Sequence, residues 1–358
     1  MMTMVDLPKK IEPKTLPTGY ELQCYTIKSV LGQGGFGVTY LAHDNNLDRE
    51  VAIKEFMPRD MATRGNDYTI QSVNAEMSEK LIWGMERFIR EARTLSKFDH
   101  PNIVRVHSVF EANNTAYMVM SYEEGISFNE LLLTKGQPKE EELMDMLMGL
   151  LDGLEVMHEA GFIHRDIKFG NIFIRKNGTA LLLDFGSARQ AIGEETMTLT
   201  KVVSPGYAPF EQYYGRSDMQ GPWTDIYALG ATCYRAITGD PPMDSTFRNR
   251  FTGEEAIKEI WDGLDKYSKK YSTFFLRAIE HALRANHKER PQTVKEWRAM
   301  LTDPSVSTQT QWRLATNSYM NKSSRIEPKN NNNGWKLYTL LGAGLVTLIV
   351  LIYLFITK

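Results

Sequence analysis

Cysteine is almost missing from this chain: Cys24 and Cys233 are its only two among 358 residues. They lie far apart and without metal-ligand spacing, which excludes a disulfide framework and a thiolate zinc site and suits a reducing compartment. The seven histidines form no His-x-x-x-His pair beside an acid, so a histidine zinc site is not expected either. A surplus of one charge is also missing. With 42 Lys+Arg against 44 Asp+Glu, there is no whole-chain field to attract nucleic acid, and no nucleic-acid partner is expected. The amino terminus has no cationic start leading into an apolar core, because Asp6, Pro8, Lys9, Lys10 and Pro13 interrupt it. No cleavable signal peptide is expected there. What is present is ample core material, 42% hydrophobic residues, enough for one large or two ordinary domains.

Alternation and β-branched or aromatic residues predict strands from about Tyr25 to Leu41, with glycines inside, and from Glu50 to Phe56. Helical spacing of Phe88, Ile89, Ala92 and Leu95 predicts a helix over Met85–Phe98, ended by Asp99-His100-Pro101-Asn102. Strands near Ile103–Phe110 and Thr115–Ser121 complete that layer. After Gly125 the pattern turns to helices, over Glu140–Ala160, Thr224–Thr238, Gly253–Leu264 and Tyr271–Arg284. Strands first and helices later predict an α+β protein of two lobes with a cleft between them, where nucleotide sites tend to lie. From Thr302 the composition shifts to Ser, Thr, Asn and Lys and predicts a flexible linker over 302–336. Beyond it, 337–357 is free of charge and filled with Leu, Ile, Val, Tyr and Phe. At ~1.5 Å per residue that run matches a ~30 Å hydrocarbon core, so a transmembrane helix is expected, with Trp335, Tyr338 and Tyr353 at the interfaces.

The chemistry concentrates in His164-Arg165-Asp166-Ile167-Lys168-Phe169-Gly170-Asn171, followed by Asp184-Phe185-Gly186. A metaphosphate-like transition state needs a carboxylate to orient the attacking hydroxyl, oxygen ligands for a metal, and positive charge on the moving phosphoryl group. Asp166 supplies the base, Lys168 the cation, and Asn171 and Asp184 the magnesium ligands. Upstream, Leu31-Gly32-Gln33-Gly34-Gly35-Phe36-Gly37-Val38 lies between two predicted strands. A dinucleotide fingerprint would open a helix at its glycines, whereas this run continues as strand, which favours a glycine hairpin folded over phosphates. Val51-Ala52-Ile53-Lys54 sets a lysine in an apolar strand, where it needs a partner. Glu91, on the inner side of the following helix, is expected to be that partner, with Glu86 as the other acid nearby.

Gly32, Gly34, Gly37, Lys54, Glu91, Asp166, Lys168, Asn171 and Asp184 stand in the order of the protein-kinase family, which the chain resembles from about Tyr20 to Leu301. The resemblance implies the two-lobed kinase fold, with an extension over 1–19, a small β lobe to about residue 121 and a helical lobe over about 122–301. It implies ATP and Mg2+ as cofactors. Leu31, Gly32, Gly34, Gly35, Phe36, Gly37, Val38, Ala52 and Lys54 would bind the nucleotide, together with Met120 and Tyr122 of the segment that binds adenine. Asp225 resembles the aspartate that braces the catalytic loop, and Arg290 the arginine that pairs with the glutamate closing the activation segment. The phrase from Ser204 to Gln212 is similar to bacterial Ser/Thr kinases. The chain departs from the pattern in Phe169, which replaces a proline, in Pro209-Phe210-Glu211, and in a long stretch over Met57–Trp83 that must hold a loop or small extra element.

The resemblance implies transfer to Ser/Thr hydroxyls of protein substrates, with a pseudokinase scaffold and a small-molecule phosphotransferase as the rival readings. Thr196, Thr198 and Thr200 are candidate autophosphorylation sites, since Arg165 could pair with a phosphothreonine, and a second copy of the chain is a partner for transfer in trans. Lys322, Arg325, Lys329 and Lys336 outnumber Lys358 across the apolar run. A single-pass cell-membrane protein with its kinase domain in the cytoplasm is therefore expected.

Overall fold

The computed structural model describes residues 15–184, 204–213, 217–248 and 253–308. By its contacts the chain divides into two units, Met1–Ser307 and Thr308–Lys358. The first holds an antiparallel sheet in the order β1-β2-β3-β4-β8-β7. Its strands are β1 (Glu21–Leu22), β2 (Tyr25–Gln33), β3 (Gly37–Asp44), β4 (Arg49–Phe56), β7 (Val106–Ala112) and β8 (Thr115–Ser121). Alternation assigns the faces of β4. Val51 and Ile53 join Tyr40, Tyr117 and Val119 in one apolar cluster. Ala52 and Phe56 face the other way, into the larger core with Phe88, Ala92 and Leu95. Those three belong to α1 (Ala75–Leu95), so Lys54, between Ala52 and Phe56, is directed to the side of the sheet where α1 carries Glu91.

The long stretch after β4 is structured. It folds as a hairpin of β5 (Ala62–Arg64) and β6 (Ile70–Ser72), then starts α1 at Ala75, ten residues ahead of the predicted Met85. In the extra turns Met77 and Leu81 pack against the larger core, and Asn74 caps them by accepting from the Met77 amide at 2.9 Å. A buried polar knot ties the hairpin to the sheet. Arg64 pairs with Glu55 and donates to the Tyr68 carbonyl at 2.7 Å. Glu55 also accepts from the hydroxyls of Tyr40 at 2.9 Å and Tyr117 at 2.6 Å. With Glu55 0% exposed, every one of these bonds offsets the desolvation of a charge.

The second lobe opens with a small sheet in the order β11-β10-β9, of β9 (Gly125–Ser127), β10 (Ile172–Arg175) and β11 (Ala180–Leu182). Its helices are α2 (Phe128–Lys135), α3 (Glu140–Glu159), α4 (Phe210–Tyr213), α5 (Pro222–Thr238), α6 (Ser245–Arg248), α7 (Gly253–Asp265), α8 (Thr273–Ala282), α9 (Val294–Thr302) and α10 (Pro304–Thr308). Pro222 opens α5, where its missing N–H costs nothing. At Gly230 a Cβ would stand 2.8 Å from the Ala282 Cβ, so α5 and α8 pack at a distance that only glycine permits there.

Three expectations change. Strand β7 begins at Val106 rather than Ile103, which makes only an isolated bridge to Leu182. Helix α10 occupies the start of the stretch predicted as linker; its onset at Asp303-Pro304 suits a helix start, a local signal outweighed by the polar composition around it. The β9–β11 sheet and α2 were absent from the expected elements, each being too short to show a clear period. Among the described residues no helix is long and apolar enough to cross a membrane. The apolar run over 337–357 lies outside them.

Candidate active site

The loop from His164 to Asn171 is held from below by Asp225, in the first turn of α5. Its carboxylate accepts from the backbone N–H groups of His164 and Arg165, both at 2.8 Å, and contacts His158 Nε2 at 2.8 Å. Burial opposes the Asp225 charge, but the bond and charge of His158, His164 and the Arg165 amide hold the carboxyl below its usual range. Arg165 adopts φ 69°, a left-handed backbone that two amide bonds to one carboxylate sustain. His164, wholly buried, is pushed down by that burial and meets the Leu183 carbonyl at 3.0 Å.

Around Asp166 the expected groups meet. Lys168 Nζ donates to both carboxylate oxygens, at 3.0 and 2.8 Å. Asn171 Nδ2 donates to Asp166 Oδ2 at 2.8 Å, to the Asp166 carbonyl at 2.8 Å and to the Asp184 carbonyl at 3.3 Å. With its N–H groups so engaged, Asn171 keeps Oδ1 as an oxygen donor. Ser204 Oγ donates to Asp166 Oδ1 at 3.1 Å, and Lys168 Nζ lies 3.4 Å from it. That hydroxyl was missed in the sequence; a lone serine before Pro205-Gly206 carries little signal.

Lys54 makes its ion pair with Asp184, Nζ to Oδ1 at 2.6 Å, and not with Glu91 as expected. Burial lowers the Lys54 pKa, but Asp184 first, then Glu91 and Asp166 outweigh it and hold the ammonium above its usual value. Charge interaction falls with distance, so the acid in contact dominates and Glu91, buried on α1, acts through space. Asp184 adopts φ 37°. Asp184 and Asn171 offer hard oxygen donors, and magnesium is usually held by one or two carboxylates together with substrate phosphates, so the donor set fits that ion.

The glycine run forms the turn from β2 to β3, with the Gly34 amide donating to the Gly37 carbonyl at 2.8 Å. At Gly37 a Cβ would fall 2.0 Å from the Glu55 carbonyl oxygen, so no side chain fits. The segment after β4 braces this turn: the amides of Met57 and Arg59 donate to the carbonyls of Phe36 and Gly35 at 3.1 and 2.9 Å. Ala52 pairs with Met120 and Lys54 with Met118 across β4 and β8. Val38 does not join them; it packs in the cluster on the opposite face. A strand turns successive side chains to opposite faces, and it is Thr39 that pairs with Lys54. Leu31 is 44% exposed and Tyr122 is half-buried.

Arg290 closes the far side. Its guanidinium forms a bidentate pair with Glu211, at 2.7 and 3.1 Å, with both residues 2% exposed. Thr224 Oγ1 donates to the same carboxylate at 3.2 Å, and Gln212 Nε2 donates to the Arg165 carbonyl at 2.8 Å. Phe185, Gly186 and the threonines at 196, 198 and 200 lie outside the described residues.

Residues 25–301 match the protein kinase domain, and the chain belongs to the protein kinase family. Within it the similarity is to bacterial serine/threonine kinases. A probable serine/threonine-protein kinase of Streptomyces coelicolor is 35% identical over 245 residues, 65% of this chain and 32% of that protein. PrkC of Bacillus subtilis is 33% identical over 220 residues, 62% of this chain and 31% of its own length. The chain thus spans about a third of the length of these curated relatives. A solved structure described as the PpkA-294 apo form superposes with a TM-score of 0.73 at 36% identity, covering 80% of this chain and 99% of that one.

Proposed function

We propose that this chain is an ATP-dependent serine/threonine protein kinase. The observation that carries the reading is the meeting of Lys168, Asn171 and Ser204 on the Asp166 carboxylate, with the Lys54–Asp184 pair beside it through the Asn171 bond to the Asp184 carbonyl. Asp166 orients a substrate hydroxyl and takes its proton as the oxygen bonds to the γ-phosphorus and the bond to the β-phosphate oxygen breaks. Lys168 and Lys54 offset the negative charge on the phosphoryl oxygens. Asp184 and Asn171 Oδ1 would hold magnesium, which supplies neutralisation of the phosphates when bound. Glu91 strengthens the charge on Lys54, and the glycine turn with Ala52, Thr39 and Met120 encloses the nucleotide. A scaffold that only binds nucleotide has no need of this complete set. Incubation with labelled ATP, magnesium and a generic basic protein tests it: label on serine or threonine supports the reading, and label on a small molecule alone, or binding without transfer, contradicts it.

The Arg165 Nε is buried without a hydrogen-bond partner among the described residues, which supports a role in receiving a phosphothreonine from 196, 198 or 200, placed there in trans by a second copy. Mass spectrometry after incubation with ATP checks that site. We also propose that residues 337–357 anchor the chain in the cell membrane with the kinase domain cytoplasmic, on the strength of the uncharged run and the basic residues before it. The full chain is expected in the membrane fraction, and a chain ended at Thr308 in the soluble fraction with activity retained.

A further inference from the structure

Arg235, in the last turn of α5, carries a charge that no carboxylate among the described residues answers. Its Nη1 donates to the Tyr207 hydroxyl at 2.8 Å, and its guanidinium carbon lies 4.5 Å from the centre of the Phe169 ring. Neither contact neutralises it. Among the described residues no carboxylate stands within ion-pair distance of Arg235, whereas Arg290, Arg284 and Arg298 of the same lobe meet Glu211, Glu280 and the pair Asp152 and Glu155. Arg248, also without a carboxylate, is buried and donates to the carbonyls of Met243 and Leu283. Arg235 is only half-buried, and none of its nitrogens is a buried donor without a partner, so its remaining N–H groups reach solvent. Asp244, the acid of the adjacent turn, is already engaged by Tyr213, Thr246 and the Gly206 amide.

The position of this cation is tied to the reacting group by two routes. Phe169, under the guanidinium, is three residues beyond Asp166. Tyr207, which holds Nη1, is three residues beyond Ser204, whose hydroxyl bonds to Asp166. Three residues of chain reach at most about 10 Å, so Arg235 stands within a few peptide residues of the place where a substrate hydroxyl would meet Asp166. The phenyl ring of Phe169 gives the planar guanidinium a platform. It fixes the orientation of the fork before anything binds, which lowers the ordering cost of recognition.

We propose that Arg235 is a specificity-determining residue that receives an acidic side chain of the protein substrate. An extended peptide rises about 3.3 Å per residue, which puts the carboxylate about two to four residues from the accepting Ser or Thr. The balanced net charge of -2 supplies no general preference for acidic peptides, so the preference is local to this residue. The inference rests on the kinase reading.

The test uses the full chain and Ser/Thr peptides that differ only in Glu, Gln or Arg at each position within four residues of the acceptor. Wild type is expected to favour Glu over Gln in kcat/KM by about 10-fold or more at one of these positions, the scale of a charge-assisted hydrogen bond. Arg235→Gln is expected to bring that ratio to about 1, Arg235→Lys to keep part of it, and Arg235→Glu to turn it toward Arg, all through KM for peptide with KM for ATP unmoved. A merely structural arginine would shift melting temperature and leave the ratio alone. Equal use of Glu and Gln by wild type, or a ratio that survives Arg235→Gln, overturns the inference while transfer to the Gln peptide upholds the kinase reading. Transfer to no peptide overturns both.

Discussion

The Lys54 ammonium lies 2.6 Å from Oδ1 of Asp184, so the cation of β4 and the acid that follows β11 join the two lobes at one contact. Asp184 holds the ammonium charged in a setting where burial works against it. Lys54→Met is expected to remove one cation from the phosphoryl group and leave Asp184 unopposed. The loss in kcat should be about 10²- to 10³-fold, the scale of removing one oriented donor. Steady-state kinetics beside a thermal melt would check that the loss is chemical rather than a loss of fold.

The Glu55–Arg64 pair anchors the hairpin that follows β4. Arg64→Leu leaves a carboxylate that is 0% exposed with only the Tyr40 and Tyr117 hydroxyls as donors. Breaking such a pair costs about 3–5 kcal/mol, whereas removing both charges costs far less. Thermal or urea denaturation of Arg64→Leu and of Glu55→Gln with Arg64→Leu is therefore expected to show the double variant the more stable.

Acid should destabilise the protein through His281. Burial, with Arg284 and Arg277 nearby, pushes its pKa down to about 3, against about 6.5 in an unfolded chain. The folded state then binds fewer protons than the unfolded state between these values. Its contribution is complete above about pH 6.5 and is lost as pH falls toward 3, at about 1.4 kcal/mol per pH unit. His281→Asn should flatten the fall in stability over that window, read as the melting temperature at pH 7 and at pH 5.

The cluster at Asp166 was legible in the sequence because phosphoryl transfer demands particular residue types at short spacing, and Asp166, Lys168 and Asn171 sit within one loop and bond to one another. The long helix α3 and strands β4 and β8 were legible by their periods. What was hidden depended on distance along the chain or on register. The choice of Asp184 over Glu91 by Lys54 is set by three-dimensional proximity. The exchange of Val38 for Thr39 follows from which face of β3 meets β4, a parity that two bulges in the β2–β3 pairing obscure. The start of α1 was missed although Met77 and Leu81 carry the apolar spacing of Met85 and Phe88 back into its first turn, and its cap at Asn74 was a second signal.

Comparison of wild type with Asp166→Asn tests the account most directly, as the rate of ATP γ-phosphoryl transfer to a Ser peptide in magnesium. Asparagine keeps the shape and can still accept from Lys168, but it cannot take the hydroxyl proton. The account predicts a fall in kcat of about 10²-fold or more, with ATP binding and melting temperature nearly unchanged. Transfer by Asp166→Asn at the wild-type rate would contradict it.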